Sequence, residues 1–182
     1  MTERKPLFTN RLTLEPTGAA HAEGLVAATT RSLAELRPWM AWAVDADDNA
    51  TRAFALACEQ EWDVSAWTFT IFLSDEIVGT VALNRFDGLA SAAHLGYWLR
   101  TDVAGRGLMT EAAAAVVGFG FDELRLHRLE LHAAPDNVAS VRVAEKLGFK
   151  RGGVLRDGSR GASGWHDVLV FDLLVTDPRP RV

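Results

Sequence analysis

The sequence holds one cysteine, Cys58, and one tyrosine, Tyr97, among 182 residues. A lone cysteine excludes an intrachain disulfide and a cysteine-based zinc cluster, and it suits a reducing cytosol. Long apolar runs are also missing. The longest of interest, Ala112–Phe121, has ten residues, well short of the roughly 20 that a membrane-spanning helix needs. The opening Met-Thr-Glu-Arg-Lys-Pro is charged and no apolar core follows it, so no signal peptide and no membrane partner are expected. Internal repeats and low-complexity tracts do not stand out. The net charge is −5, so the surface as a whole is not built for nucleic acid.

What is present is an ordinary globular composition, with 48% apolar and 24% charged residues. That supports one domain over residues 1–182 with a substantial core. Residues 176–182 carry two prolines and are expected to form a flexible tail. Charge is uneven along the chain. Residues 1–91 carry 7 Lys+Arg against 13 Asp+Glu, and residues 92–182 carry 12 against 11. The second half therefore has room for a local anion site. The acidic turn Asp45–Asp48 is either a solvated loop or a lure for a cationic substrate.

Periodicity predicts a strand over Arg11–Glu15 and then a helix capped by Thr17. Leu33–Trp42 is broken by Pro38, and a second helix, capped by Asn49, runs to about Asp63. Trp67–Leu73 and Ile77–Asn84 form a hairpin of β-branched and aromatic residues. Ala90–Arg100 is a third strand, with His94, Gly96 and Trp98 on one face and Leu95, Tyr97 and Leu99 on the other. A helix follows at Met109–Phe121, a strand at His127–Ala133 and a short helix at Asn137–Leu147. Phe149–Leu155 and Trp165–Val175 close the chain as strands around a Gly/Ser-rich loop. A meander joined to a βαβ unit makes an α/β (α+β) fold with a mixed, mostly antiparallel sheet of about seven strands and helices on both faces.

The chemistry concentrates after the third strand. Gly105-Arg106-Gly107 opens directly onto the helix at Met109. Glycines permit a tight turn, and the first helical N–H groups lack intrahelical partners at the positive end of the dipole. Such a cradle takes an anion, usually a pyrophosphate. Gly-x-Gly alone also fits a plain strand-to-helix turn. A dinucleotide fingerprint would need Gly or Ala three residues after Gly107, where Thr110 stands.

The loop and its flanks resemble the GNAT superfamily of acetyl-CoA-dependent N-acetyltransferases, most closely the RimJ/RimL-type N-terminal protein acetyltransferases. The resemblance lies in Gly96-Tyr97-Trp98-Leu99, Arg106-Gly107-Leu108-Met109-Thr110-Glu111-Ala112 and Pro135-Asp136-Asn137-Val138-Ala139-Ser140. It continues through Val143–Phe149 and Gly153–Asp157 to Trp165-His166-Asp167-Val168, with weaker echoes at Thr9–Leu12 and Leu36–Trp42. It implies a sheet splayed near its middle, with acetyl-CoA (coenzyme A) in the gap. The pantetheine arm would lie along Trp98, Leu99 and Arg100. The pyrophosphate would rest on Ala104, Gly105, Arg106, Gly107, Leu108, Met109 and Thr110, with Asn137 and Ser140 reaching the cofactor from the next helix. No metal is expected. The superfamily pattern Gln/Arg-x-x-Gly-x-Gly/Ala falls on Ala104, Gly107 and Met109. The tyrosine that many members place near Ala144 is absent.

The implied reaction moves an acetyl group from a thioester to an amine. It needs a neutral amine, a donor for the oxyanion and a proton for the departing thiolate. A backbone N–H near Trp98–Leu99 is the expected oxyanion donor. The family's Asn-x-x-Ser pattern implies that Ser140 hydrogen-bonds the sulfur, with local helix capping as the plain alternative. His94 is the candidate base, or simply a strand histidine; His132 is a weaker one, and His166-Asp167 reads as a hairpin anchor. Trp39 and Trp42 are expected on the substrate side or in helix packing. A site short of a strong base suits an α-amine, about a tenth neutral at pH 7, better than lysine. The expected acceptor is thus a protein N-terminus. A small amine (amino sugar, polyamine or antibiotic) and a non-catalytic acyl-CoA-binding module are the alternatives, and a homodimer stays open.

Overall fold

The computed structural model describes residues 2–179; residues 180–182, the end of the expected tail, lie outside them. Within that tail, Asp177 pairs with Lys150 and Arg179 with Asp122. One sheet runs through the molecule. Its strands are β1 (Leu7–Phe8), β2 (Leu12–Pro16), β3 (Trp67–Leu73), β4 (Glu76–Asp87), β5 (Ala92–Leu99), β6 (Arg128–Ala133), β7 (Lys150–Gly161) and β8 (Gly164–Leu174), in the order β1-β2-β3-β4-β5-β6-β8-β7. The strand beyond the expected seven is β1, whose two residues are too short for a periodic signal.

Helices α1 (Ala22–Thr30), α2 (Leu33–Leu36), α3 (Ala41–Val44) and α4 (Asp48–Glu61) follow β2, while α5 (Leu108–Asp122) and α6 (Val138–Lys146) flank β6 in the chain. Two apolar clusters result. Ala112, Val116 and Phe119 of α5 pack with Ile71, Val81, Leu95 and Leu129. Leu25, Ala28, Leu36, Ala43 and Ala55 pack with Trp98. Leu95 and Trp98 thus join different cores, as strand alternation requires. Both faces of the sheet are covered, so its second face is filled by buried threonines rather than left wet. Thr70 is buried and its hydroxyl meets that of Thr17 at 2.8 Å.

That contact corrects the expected cap at Thr17. Its N–H donates to Thr68 O, and a 3-10 turn at Ala19–His21 leads into α1 instead. The cap of α4 is Asp47 rather than Asn49. Asp47 has extended backbone, and its carboxylate accepts from Ala50 N at 2.7 Å. The predicted Gly/Ser-rich loop is also corrected. Leu155 to Gly161 continues β7 as a bulged ladder against β8, with Asp157 N donating to Asp167 Oδ1. The tip of this hairpin latches onto the α2–α3 connection, where Ala162 N donates to Arg37 O at 3.0 Å. A Cβ on Gly161 would stand 2.1 Å from Pro38 O. Gly161→Ala is expected to cost about 1–3 kcal/mol through this overpacking, seen as a drop in Tm of about 2–10 °C. An unchanged Tm would show that the hairpin tip is not held there.

The central irregularity lies between β5 and β6. They pair in parallel only from Ala92–His94 to Arg128–Glu130. Beyond His94, β5 keeps its ladder to β4 while β6 keeps its ladder to β8. The sheet therefore splays from Leu95 onward. Among the described residues no helix is long and apolar enough to cross a membrane.

Candidate functional site

The splay leaves one edge of β5 open. Arg100 N donates to Val78 O at 2.7 Å, and Trp98 O points at Gly79 of β4. Since backbone groups alternate along a strand, those of Tyr97 and Leu99 face the gap. Leu99 thus sits where a cofactor arm was expected. The backbone of Trp98 and Arg100 turns the other way. The Trp98 ring is buried in the second core. The Arg100 guanidinium is buried too, held by Asp102 at 2.6 and 2.9 Å and by Glu76 at 2.9 Å. The hydrogen bonds it donates to Asp102, with help from the one to Glu76, raise its already high pKa. That side chain is fully engaged in fixing the end of β5.

The open edge leads to the loop before α5. Gly105 and Gly107 have φ of 75° and 77°, the left-handed region that glycine enters at little cost. Ala104 N donates back to Thr101 O, but the N–H groups of Gly105, Arg106 and Gly107 have no acceptor among the described residues. All three residues are exposed. Leu108, Met109 and Thr110 bury their side chains and contribute only the first amides of α5. Behind the loop, Glu111 accepts from Thr9 Oγ1 at 2.6 Å, Arg11 N at 2.8 Å and Arg11 Nε at 2.7 Å, while Arg11 Nη1 donates to Arg106 O. Burial pushes the Glu111 carboxyl up, but these donors outweigh it and hold it below the usual range. The clamp fixes the loop to the β1–β2 turn and uses no N–H of Gly105, Arg106 or Gly107.

Two cavities meet at β5. The smaller, about 130 Å³, lies in the splay and touches Tyr97, Asn137, Ser140 and Trp39. The larger, about 480 Å³, lies under α1, α3 and α4 and touches Trp42, Phe54, Thr80 and Trp98. His94, Gly96, Tyr97 and Met40 border both. Trp42 is therefore at the larger cavity and Trp39 at the smaller. The acidic turn is at neither, apart from Ala46.

A family model described as Acetyltransferase (GNAT) domain matches residues 11–150. The chain belongs to the GNAT acetyltransferase family. It is 39% identical over 112 residues to the Bacillus subtilis protein named Probable N-acetyltransferase YjcK, covering 60% of this chain and 62% of that protein. To the Escherichia coli ribosomal-protein-serine acetyltransferase it is 29% identical over 107 residues, 59% of this chain and 60% of that one. The matches thus span about three-fifths of these relatives' lengths. In fold, this GNAT domain is similar to a RimL ribosomal L7/L12 alpha-N-protein acetyltransferase solved with coenzyme A, with a TM-score of 0.88, 21% identity, and coverage of 93% of this chain and 98% of that one.

Within this GNAT domain, the sequence reading missed Tyr97. Its hydroxyl lies 3.0 Å from Ser140 Oγ across the splay and 3.4 Å from Ser140 O. Burial raises the phenol to about 12, with the Ser140 contact opposing, so it stays protonated. The signal was available in part, since the chain's one tyrosine sits on the strand beside the gap. Ser140 is in the first turn of α6, whose cap is Asn137: Oδ1 accepts from Ser140 N at 3.1 Å. Capping therefore falls to Asn137 and the Ser140 hydroxyl is left to face Tyr97. His94 packs edge-on against His132, with ring centroids 4.6 Å apart. Its Nε2 and the Oδ1 of neighbouring Asn84 are buried without a partner among the described residues. Burial, then the nearby His132 and Arg85, push the His94 imidazole down to about 3. It is neutral at pH 7, a hydrogen-bond acceptor rather than a strong base.

Proposed function

We propose that this GNAT domain transfers the acetyl group of acetyl-CoA to the α-amine of a protein N-terminus. The reading is carried by the junction of the two cavities at His94, Gly96 and Tyr97, which puts an open backbone edge beside an acceptor-sized pocket. Support for a protein acceptor comes from the relatives named as a ribosomal-protein-serine acetyltransferase and an alpha-N-protein acetyltransferase.

The residues present fit the cofactor. Unpaired, exposed amides at Gly105–Gly107 and the start of α5 suit a pyrophosphate without a basic surface. Tyr97 and Leu99 would hold the pantetheine arm by their backbone groups, as an added strand is held, and Asn137 and Ser140 would flank it from α6. When bound, acetyl-CoA supplies the acetyl group as a thioester. The Leu99 N–H is the oxyanion donor, since it faces the gap. Ser140 Oγ holds the proton for the departing sulfur, and Tyr97 orients that hydroxyl. The neutral His94 imidazole, which borders both cavities, accepts a hydrogen bond from the neutral amine and aims its lone pair. The N–C bond would form as the C–S bond breaks; the sulfur would take the Ser140 proton, the amine's proton would leave to water, and Ser140 would regain a proton from water. An amine of pKa about 7.7–8.0 needs little help to be neutral, which suits a site whose histidine is a weak base.

The test is free-thiol release from acetyl-CoA with and without a peptide amine, alongside direct binding of acetyl-CoA. Binding with amine-dependent release is the expected result, strongest for peptides over amino sugars and polyamines. Binding without such release would make the domain a non-catalytic acyl-CoA module. No binding would return the loop to the dinucleotide or plain-turn reading.

A further inference from the structure

The larger cavity holds more than an amine requires. Its volume of about 480 Å³ falls in the about 300–1,000 Å³ range of small-molecule sites. Two large rings line it from separate helices, Trp42 of α3 and Phe54 of α4, and they remain 45% and 42% exposed. Neither belongs to a core cluster of buried residues, and packing within the protein leaves close to half of each open. Trp42 lies with its ring centroid 6.0 Å from that of Trp98, and Leu25 and Met40 extend the same apolar wall.

The charges point the same way. The wall carries the His94 imidazole at the junction with the splay and Arg85 near it; among the described residues the one carboxylate bordering the cavity is Glu61. Asp45, Asp47 and Asp48 do not border it, and Asp47 is engaged in capping α4. A polycation would meet a cation at the reacting end and a single carboxylate elsewhere. An apolar body meets complementary surface throughout.

We infer that the acceptor's α-amine is borne by a unit with a bulky aromatic or long aliphatic side chain, taken up against Trp42 and Phe54 while the amine stays at the His94–Gly96 junction. The inference rests on the acetyltransferase reading above. The same chemistry is offered by a protein N-terminus and by a free apolar amine.

Thiol release from acetyl-CoA would be followed with four acceptors: a peptide beginning with Phe, the same peptide beginning with Ala, phenylalaninamide and alaninamide. The Phe acceptor of each pair is expected to exceed its Ala counterpart in kcat/KM by at least about tenfold, mostly through KM. Phe54→Ala and Trp42→Ala should each shrink that ratio severalfold, and melting curves would confirm that the variants are folded. A ratio found with both pairs supports recognition of the apolar body from either source; a ratio confined to the peptides supports a chain N-terminus. Equal or better use of the Ala acceptors would overturn the inference and leave the acetyltransferase reading intact. No release with any acceptor would overturn that reading, and the inference with it.

Discussion

Ser140→Ala is expected to lower kcat by about 10²-fold, toward the bottom of the about 10²–10⁴ range for acid–base groups. A thiol near pKa 8.5 leaves with modest help, which sets the effect at that end. The affinity for acetyl-CoA should change little, because the loop amides and the β5 edge remain. The comparison with Tyr97→Phe makes the result specific. Tyr97 Oη reaches Ser140 Oγ at 3.0 Å and acts through that hydroxyl, so its loss should slow kcat less than the loss of Ser140. The double variant should then be no slower than Ser140→Ala alone, since residues that act as a unit are not additive. Independent, multiplying effects in steady-state kinetics would separate the two hydroxyls. Unchanged turnover in Ser140→Ala would remove it from the chemistry.

The second large effect is on stability. The His94 pKa falls from 6.5 to about 3 in the folded protein, first through burial and then through His132 and Arg85. The unfolded chain therefore binds a proton below pH about 6.5 that the folded chain refuses until about 3. Stability is full above the unfolded value and is lost as pH falls through that window, at up to roughly 1.4 kcal/mol per pH unit. Urea unfolding at pH about 7, 6 and 5 should show this slope, and His94→Gln should reduce it by most of that amount. His132, also lowered by burial but supported by Glu130, accounts for a smaller residual slope. Identical pH dependence in the two proteins would mean that His94 takes up its proton while folded. By the same shift, kcat/KM should show no inflection from His94 between pH about 5 and 6.5. Its rising limb belongs to the amine.

Much of this site was legible locally. Asn137 announced its helix, Gly105 and Gly107 announced the turn, and the alternation over Ala90–Arg100 divided Leu95 from Trp98 correctly. What local pattern did not carry are the contacts across the splay. Tyr97 and Ser140 are 43 positions apart, and only the separation of β5 from β6 brings them together. The neutrality of His94 likewise depends on burial, and on His132, which lies far outside any local window around residue 94. Local preference makes the bulged end of β7 a loop, because Gly, Ser and Asp are turn formers. The ladder to β8 and the latch onto Arg37 and Pro38 override that preference. The larger cavity is built by three separate helices against β4 and β5, so local pattern offers Trp42 as a candidate but does not join it to Phe54.

The most direct test pairs two peptides of one sequence with acetyl-CoA. One has a free N-terminus and no lysine; the other has a blocked N-terminus and one lysine. Stoichiometric thiol release and acetylation are expected with the first and little with the second, because His94 is too weak a base to deprotonate a lysine of pKa about 10.4. Equal or faster release with the blocked, lysine-bearing peptide would contradict it.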